Sequence, residues 1–409
     1  MSARLRIIVT GLAGLYPVGG VAWDYLQYAV GLARLGHDVY YHEDTWSWPY
    51  QPREATYTAQ GHYSAQYIER FFARHAPELR ERWHYLHLHE KSFGMSRAAF
   101  DAVARSADLF LNVSGACMIP GRLSPRCVKV FVDTDPGYNQ ILLSERLAWS
   151  ENVERWCASV SAHDRHFTYA ENIHGHDCRI PTLGFSWCTT RMPVVLPLWA
   201  SVADNPAAAT APWTTVMTWN AFKGELRYEG VEYGSKDSEF EKIIGLPAQA
   251  AVRLKVAVGG VRAPLERLVR AGWDVVDAPS VSVTPADYQA FIAASRGELS
   301  PAKHVYVAMR SGWFSCRSAC YLASGRPVIV QDTGFGVALP LGEGIVPFAT
   351  LPEAIDALQE VERDYARHAN AARTLASEYF DADKVLTKLI EEALSGVSSA
   401  PERQILPRE

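Results

Sequence analysis

Three hydroxyl groups and two cationic side chains lie close together in the sequence around residue 315, where a helix is predicted to begin. They belong to Arg310, Ser311, Ser315, Arg317 and Ser318. Free backbone N–H groups and the positive end of a helix dipole favour a bound anion, and guanidinium groups bind phosphate oxygens in pairs. The segment therefore predicts a phosphate or diphosphate site, with a capped helix that binds nothing as the structural alternative.

A short α/β unit holds this segment. The helix predicted from Ser315 ends at Gly325, and after Pro327 the apolar run 328–330 is typical of a buried parallel strand. Loop, helix and strand then form one half of a β-α-β unit, with the phosphate-type loop at one end of the helix.

Two aspartates follow another predicted strand, at residues 127–132. Asp133 and Asp135 come directly after its apolar run, and functional groups gather at the carboxyl ends of parallel strands. The pattern predicts a general base or a ligand of an acceptor hydroxyl. A turn and helix cap before Asn139 is the structural alternative, and two carboxylates are too few to predict a metal site.

The N-terminal part of the chain alternates strand and helix in the same way. A strand at 6–10, a glycine-rich loop to Gly20, a helix to Gly36 and a strand at 37–41 form a β-α-β unit. The glycines lack the G-x-G-x-x-G spacing of a dinucleotide site. A similar alternation resumes after residue 213, so we predict an α/β protein of two doubly wound, Rossmann-like domains facing a cleft.

Length and composition place the domain boundaries. A chain of 409 residues is long for one core. The Ala/Pro-rich stretch 200–212 predicts a linker between an N-terminal domain at 1–199 and a C-terminal domain at 213–380, followed by a helix and tail at 381–409.

Charge and hydropathy exclude several classes of protein. The net charge is −5 and the chain has no run rich in Lys and Arg, so nucleic acid is not an expected partner. No apolar run approaches the roughly 20 residues that span a bilayer, and the N-terminus has no signal-peptide pattern. Seven scattered cysteines are typical of reduced thiols. We therefore expect a cytoplasmic protein without stable membrane insertion.

Two segments of the N-terminal domain have less regular patterns. The aromatic stretch 44–62 is predicted to be an ordered loop that shapes a binding site, and 63–105 is predicted to be helical. Histidines 84, 87 and 89 would not share one helical face, so no metal site is predicted there. The group at 174, 176 and 178 is interpreted in the same way.

Several motifs resemble those of GT-B nucleotide-sugar-dependent glycosyltransferases. Gly19 and Gly20, with the segment 35–39, resemble the first crossover of many such enzymes. The segment 311–315 resembles the C-G-W-N-S donor segment of plant and macrolide UDP-glycosyltransferases. The segment 323–329 resembles the A-x-G-x-P-V-I start of a strand that is common to both large groups.

The chain departs from the family patterns at three places. Gly312 and Cys320 occupy the positions of the Glu-x7-Glu pair of retaining enzymes, so a retaining mechanism is not indicated. No histidine lies in 11–22, where inverting enzymes usually carry their base. The ribose-binding glutamate of the UDP-sugar motif is also missing, which leaves the nucleotide base open.

The resemblance implies transfer of a sugar from a nucleoside diphosphate to a small-molecule acceptor held by the N-terminal domain. Inversion without a metal or a separate cofactor is implied, since N–H groups and cations would stabilise the departing diphosphate. The candidate bases are Asp24, Asp133 and Asp135. The candidate donor contacts are Gly19, Gly20, Asn220, Lys236, Lys303, His304, Arg310, Ser311, Gly312, Trp313, Ser315, Arg317, Ser318, Asp332, Thr333 and Gly334.

Two other functions remain open. A GT-B epimerase of nucleotide sugars would use the same donor site without an acceptor pocket. A non-catalytic sugar-nucleotide-binding protein would keep the fold and lack the base. Consumption of an acceptor separates transfer from epimerisation, and turnover of the donor separates both from simple binding.

Overall fold

The computed structural model describes residues 4–44, 46–145, 151–219, 226–260 and 263–395. Its strands are β1 (Arg6–Thr10), β2 (Asp38–Asp44), β3 (Tyr50–Gln51), β4 (Thr56–Tyr57), β5 (Trp83–His87), β6 (Lys91–Gly94), β7 (Leu109–Val113), β8 (Val128–Asp133), β9 (Arg165–Thr168), β10 (Trp187–Thr189), β11 (Trp213–Thr218), β12 (Leu226–Tyr228), β13 (Val231–Tyr233), β14 (Leu254–Gly259), β15 (Asp274–Asp277), β16 (Gly297–Ser300), β17 (Val328–Gln331) and β18 (Ile345–Phe348).

The helices alternate with these strands along most of the chain. They are α1 (Gly19–Arg34), α2 (His62–His75), α3 (Arg97–Ala104), α4 (Tyr138–Glu145), α5 (Glu151–Ser161), α6 (Ala200–Ala203), α7 (Lys236–Glu241), α8 (Leu265–Arg270), α9 (Ala278–Ser282), α10 (Pro285–Ala293), α11 (His304–Ala308), α12 (Cys316–Ala323), α13 (Leu351–Arg363), α14 (Tyr365–Leu375) and α15 (Ala382–Leu394).

Two large sheets organise the chain, as the alternation of elements predicts. The first has the strand order β10-β9-β8-β7-β1-β2-β5-β6 and is parallel except for the β5–β6 pair. The second has the order β15-β14-β11-β16-β17-β18 and is parallel throughout. Their central strands are apolar because helices cover both faces of a parallel sheet. Residues Ile7, Val9 and Ile329 are fully buried.

Helix α1 connects the two halves. On one side a Cβ at Gly31 would lie 2.6 Å from a methyl carbon of Leu386, so the C-terminal helix α15 returns to pack closely on the N-terminal domain. On another side the indole N–H of Trp23 donates to the carbonyl of Pro285 at 2.9 Å, which joins α1 to α10. Helix α1 is therefore held in place by α10 on one side and by α15 on the other.

The stretch between the sheets contains ordered structure. Helix α6 begins the segment predicted to be a linker, and the preceding Trp199 is fully buried against Trp23 with ring centroids 5.0 Å apart. Its indole N–H donates to the side chain of Gln27 at 3.2 Å. The connection is thus packed on α1 where it leaves the first sheet.

The helical prediction for 63–105 is wrong over its middle part. Helices α2 and α3 are present, but the residues between them form the hairpin β5–β6, and β5 pairs in parallel with β2. All five residues of β5 are buried. Burial of Trp83, Tyr85 and Leu86 in the sheet outweighs the helical tendency of the polar flanks.

Short elements were also missed by the sequence patterns. The aromatic stretch after β2 contains the two-residue hairpin β3–β4, and strand β16 occupies 297–300 where no strand was predicted. Strand β16 is fully buried although it contains Glu298 and Ser300. Its polar composition hides it, because the usual signal of a buried strand is an apolar run.

The histidines of β5 take part in packing. The rings of His84 and His42 stack 5.1 Å apart, and both also stack on Phe100. No group of three metal-ligating side chains comes together within the ranges that the structure describes. In the same ranges no helix is both long enough and apolar enough to cross a bilayer.

Candidate active site

The predicted anion-binding segment forms the start of helix α12. Ser315 adopts an extended conformation as the N-cap, and its hydroxyl oxygen accepts the N–H of Arg317 at 3.2 Å. A small pocket of about 10 Å³ lies at this end of the helix, beside the carboxyl ends of β16 and β17, and Ser300 and Gln331 line it. The position is the one where open parallel sheets bind ligands.

Ser318 is the unusual group in this pocket. Its side chain is fully buried and lines the pocket, and among the residues that the structure describes its hydroxyl has no hydrogen-bond partner. A buried hydroxyl without a partner is costly, and such groups call for a ligand or water. Ser318 therefore marks the place where a polar ligand would complete the structure.

Lys236 is a buried amine near the pocket, close to the pocket-lining Arg317. It is the first residue of α7 and is 9% exposed. Burial and, secondarily, repulsion from Arg317 lower its pKa well below the ordinary value, while Glu298 opposes them. No described residue accepts a hydrogen bond from its ammonium group. An anionic ligand would restore the charged form of this lysine.

Arg317 lines this pocket, and its contact with a donor stays a prediction. Its guanidinium group donates to Glu298 at 2.5 Å, to the carbonyl of Val216 at 2.6 Å and to the hydroxyl of Ser300 at 2.5 Å. Glu298 is fully buried. The arginine joins α12 to β16 and β11 with three of its five N–H groups, and it also lines the pocket, where it contributes positive potential.

Arg310 is likewise engaged by carboxylates. It bridges Asp177 of the N-terminal half at 3.1 Å and Asp332 of the C-terminal half at 2.6 Å. Its backbone has φ = +51°, and its carbonyl accepts the side-chain amide of Asn172 at 2.8 Å. These contacts hold the two halves together, and donor binding by Arg310 stays a prediction.

The loop 311–314 is shaped by contacts across the cleft. Ser311 is fully buried and its hydroxyl donates to the carbonyl of Tyr306 at 3.2 Å. A Cβ at Gly312 (φ = +76°) would lie 2.4 Å from the backbone nitrogen of Asn172, so only glycine fits. The indole N–H of Trp313 donates to the carbonyl of Thr134 at 3.2 Å.

The segment after β17 supports this loop. The hydroxyl of Thr333 donates to the carbonyl of Trp313 at 2.6 Å, and the N–H of Gly312 donates to the carbonyl of Thr333 at 2.8 Å. The N–H of Gly334 (φ = +93°) donates to Asp332 at 2.8 Å. Predicted donor residues of the two segments therefore lie together, as their positions at neighbouring strand ends require.

Lys303 and His304 begin helix α11. The ammonium group of Lys303 lies 2.5 Å from a carboxylate oxygen of Asp135, and the hydroxyl of Tyr306 donates to the other oxygen. The Nδ1 atom of His304 accepts the N–H of Gly234 at 3.1 Å. Asp135 is thus held from across the cleft, and His304 fastens α11 to the turn before α7.

Asp133 has the structural role that the sequence left as an alternative. It is fully buried and accepts hydrogen bonds from Asn139 at 2.6 Å, Gln140 at 2.7 Å and Thr168 at 2.7 Å. Burial raises its pKa to about 6 against the effect of these donors. Because its oxygens accept hydrogen bonds from the following helix and from β9, these contacts favour the structural role, and Asp133 as a base stays an untested prediction.

Asp24 lies on the second turn of α1, facing the start of α12. Burial raises the pKa of its carboxyl group to about 7, while Arg317 and the Cys316 thiol favour the ionised form. A base works best when its pKa lies near the working pH. The role of Asp24 as a base stays a prediction, which its raised pKa and its contact with Cys316 at the start of α12 favour.

The glycine-rich loop after β1 is filled by the protein itself. The carboxylate of Glu43 accepts the N–H of Gly14 at 2.7 Å and that of Leu15 at 3.2 Å. Gly19 packs on α10, since a Cβ there would lie 2.4 Å from the carbonyl oxygen of Thr284. A Cβ at Gly20 would have more space, because its nearest neighbour is the Tyr288 ring at 3.4 Å. Donor contacts at both glycines stay predictions, and Asn220 lies outside the described residues.

Sequence reasoning missed four groups that shape the site. Glu298 and Tyr306 lie in segments without a recognisable motif, and Glu43 and Asp177 act through contacts distant in the chain. The position of Glu43 at the end of a predicted strand was the one available signal. Their partners could be known only once the two sheets were placed together.

Two doubly wound sheets facing a cleft, with a C-terminal helix that returns to the first, define the GT-B fold, and this chain has it. The solved structure of HepE from Anabaena with UDP and glucose has a TM-score of 0.58, 12% identity, and covers 96% of this chain and 100% of its own. An alpha-glucosyltransferase with UDP and a 13-mer DNA has a TM-score of 0.53, 11% identity, and coverage of 96% and 100%.

Sucrose-phosphate synthase from Thermosynechococcus elongatus is also similar, with a TM-score of 0.51, 13% identity, and coverage of 94% of this chain and 97% of its own. At these identities the likeness shows the fold. No family model and no curated protein sequence matches the chain.

Proposed function

We propose that this protein is a glycosyltransferase that moves a sugar from a nucleoside-diphosphate sugar to a small-molecule acceptor. The observation that carries the proposal is the buried, pocket-lining hydroxyl of Ser318, which lacks a partner among the described residues at the N-terminal end of α12. A helix N-terminus, this hydroxyl and the nearby Lys236 together favour a phosphate oxygen of a nucleoside diphosphate.

The pocket would stabilise the leaving group electrostatically. As the bond between the anomeric carbon and the diphosphate breaks, its electron pair goes to the phosphate oxygen. In the proposed reaction the N–H groups of α12, the Ser318 hydroxyl and the nearby Lys236 stabilise that developing charge. Cationic side chains and N–H groups supply this stabilisation in the proposed reaction, which uses no metal ion or separate cofactor.

Asp24 is the proposed base. The acceptor hydroxyl attacks the anomeric carbon from the side opposite the departing diphosphate, and the carboxylate of Asp24 takes its proton. This in-line displacement inverts the configuration of the sugar. The pKa of about 7 suits proton uptake near neutral pH. Its place on α1, beside the start of α12, supports this role.

The acceptor would lie on the N-terminal half, near an aromatic rim. Trp46, Trp48 and Tyr57 are roughly half exposed in the stretch that follows β2. The ring of Trp46 stacks on His89 at 4.1 Å, and Asp44 holds that histidine at 2.8 Å. The Trp46 ring, held in this way, favours a small acceptor with a flat face.

Uridine nucleotides are the first donors to test, because two of the similar structures hold UDP. The purified protein would be incubated with a panel of UDP, GDP and dTDP sugars and a mixture of phenolic and saccharide acceptors. The expected result is release of the nucleoside diphosphate together with a glycosylated acceptor whose anomeric configuration is inverted.

The variant Asp24→Asn is expected to bind the nucleotide and to lose transfer. Conversion of the donor to an isomer, with no acceptor consumed, would identify an epimerase and contradict the proposal. Binding of the nucleotide without turnover of any donor would identify a binding protein instead.

A further inference from the structure

The ion pair between Asp135 and Lys303 spans the cleft and stays accessible to water. The two groups lie 2.5 Å apart, with 30% of the Asp135 side chain and 19% of the Lys303 side chain exposed. The Tyr306 hydroxyl holds the second carboxylate oxygen. Asp133, two residues earlier, is by contrast enclosed by three side-chain donors. The Asp135 contact is therefore the exchangeable one of the two.

Lys303 also lies near the proposed diphosphate pocket, although it does not line it. It follows Pro301 and Ala302, which line that pocket, and it lies close enough to Lys236 for its charge to repel the buried ammonium group. The lysine thus stands between two anion positions. One is occupied by the Asp135 carboxylate, and the other is the pocket at the start of α12.

A diphosphate in the pocket would compete with Asp135 for the same ammonium group. The phosphate oxygens would attract Lys303, and the nearby carboxylate would be repelled by the added negative charge. Both effects act in the same direction. In the absence of the donor, the carboxylate keeps Lys303 at the cleft and neutralises part of its charge.

We propose that Lys303 exchanges Asp135 for the diphosphate of the donor, and that this exchange releases the Asp135 carboxylate toward the acceptor. The inference rests on the proposed function and adds an order to it, in which the donor prepares the acceptor side. Asp135 then contacts the acceptor, and Lys303 controls when its carboxylate is available. Because linkage is reciprocal, an acceptor that binds the released carboxylate tightens the donor.

The test is calorimetric titration of UDP into the wild type, Asp135→Asn, Lys303→Met and the double variant. Removing the competing carboxylate is expected to tighten UDP about fivefold, the scale of one partly exposed charge interaction. Lys303→Met is expected to weaken UDP. In the double variant the gain from Asp135→Asn should vanish, because the two residues act through one contact.

Turnover separates this role from a structural one. Asp135→Asn is expected to bind UDP more tightly and to show a higher KM for the acceptor, whereas simple loosening of the cleft would weaken both substrates. Asp164→Asn is the matched control, since Asp164 pairs with Lys129 at 2.6 Å on the opposite end of β8. It should leave UDP affinity unchanged.

Unchanged or weaker UDP binding by a folded Asp135→Asn variant, with a wild type that binds UDP, would overturn this inference alone. If Asp135→Asn fails to fold, equal UDP binding by Lys303→Met and the wild type would overturn it. Failure of every protein to bind UDP, GDP, dTDP and pyrophosphate would overturn the proposed function as well.

Discussion

Ser315 and Ser318 lie one turn apart at the start of α12, and only the first has a hydrogen bond between its hydroxyl group and a described residue. Ser315 caps the helix by accepting the N–H of Arg317 at 3.2 Å. Ser318 is fully buried, and its hydroxyl has no partner in the part of the chain that the structure describes. Ser315 stabilises the helix, and Ser318 is the proposed ligand contact.

This contrast predicts opposite effects of two alanine substitutions on stability. Ser315→Ala is expected to lower the free energy of unfolding by about 1 kcal/mol through loss of the cap. Ser318→Ala is expected to leave it unchanged or raise it by up to about 1 kcal/mol, since an unsatisfied buried hydroxyl is removed. Urea unfolding measures both. A large destabilisation by Ser318→Ala would show that its hydroxyl is already satisfied.

Gly19 and Gly20 form a matched pair for testing how closely α1 packs on α10. A Cβ at Gly19 would lie 2.4 Å from the Thr284 carbonyl oxygen, whereas one at Gly20 would first meet the Tyr288 ring at 3.4 Å. Gly19→Ala is expected to cost about 1–3 kcal/mol through overpacking, and Gly20→Ala much less. Equal unfolding midpoints in urea would contradict this interface.

The pKa of Asp24 predicts the pH dependence of transfer. Burial raises this pKa to about 7, so the ionised, proton-accepting form increases as pH rises through 7. The rate constant kcat/KM should therefore rise along a limb centred near pH 7. Asp24→Asn is expected to lower it by about 100-fold or more, the usual contribution of a general base. A limb of the same shape in Asp24→Asn would assign the titration to another group.

The lowered pKa of the His84 imidazole leads us to expect a smaller free energy of unfolding in acid. Burial lowers its pKa from 6.5 to about 4, so between these values the unfolded chain binds a proton that the folded protein excludes. The free energy of unfolding therefore falls as pH decreases from 6.5 toward 4. His84→Gln should show a shallower fall in urea titrations at pH 7, 6 and 5. The same dependence of the unfolding free energy on pH in the wild type and in His84→Gln would contradict this role of His84.

The sequence predicts most of the fold because its strands and helices carry simple hydrophobic patterns. The C-terminal helix spans 382–394 as its periodicity indicates, and β1, β7 and β17 coincide with apolar runs. The prediction fails at β5 and β16, where His, Tyr, Glu and Ser are buried by pairing with distant strands. Local pattern does not carry that information.

The site is predictable only in its position. Strand ends and the start of α12 identify the cleft, but the partners of each charge depend on the joining of the two halves. Arg310, for example, is paired with both Asp177 and Asp332, and Arg317 is turned inward to Glu298. The isolation of the Ser318 hydroxyl follows from packing and has no sequence signature.

The most direct test of the central claim is the melting temperature of the wild type and Lys236→Met with UDP, GDP, dTDP, ADP and CMP. A ligand that binds only the folded state raises that temperature. We predict that at least one nucleoside diphosphate stabilises the wild type and that Lys236→Met loses the gain. If no nucleotide stabilises the wild type, or both proteins respond equally, the pocket at α12 is not the donor site.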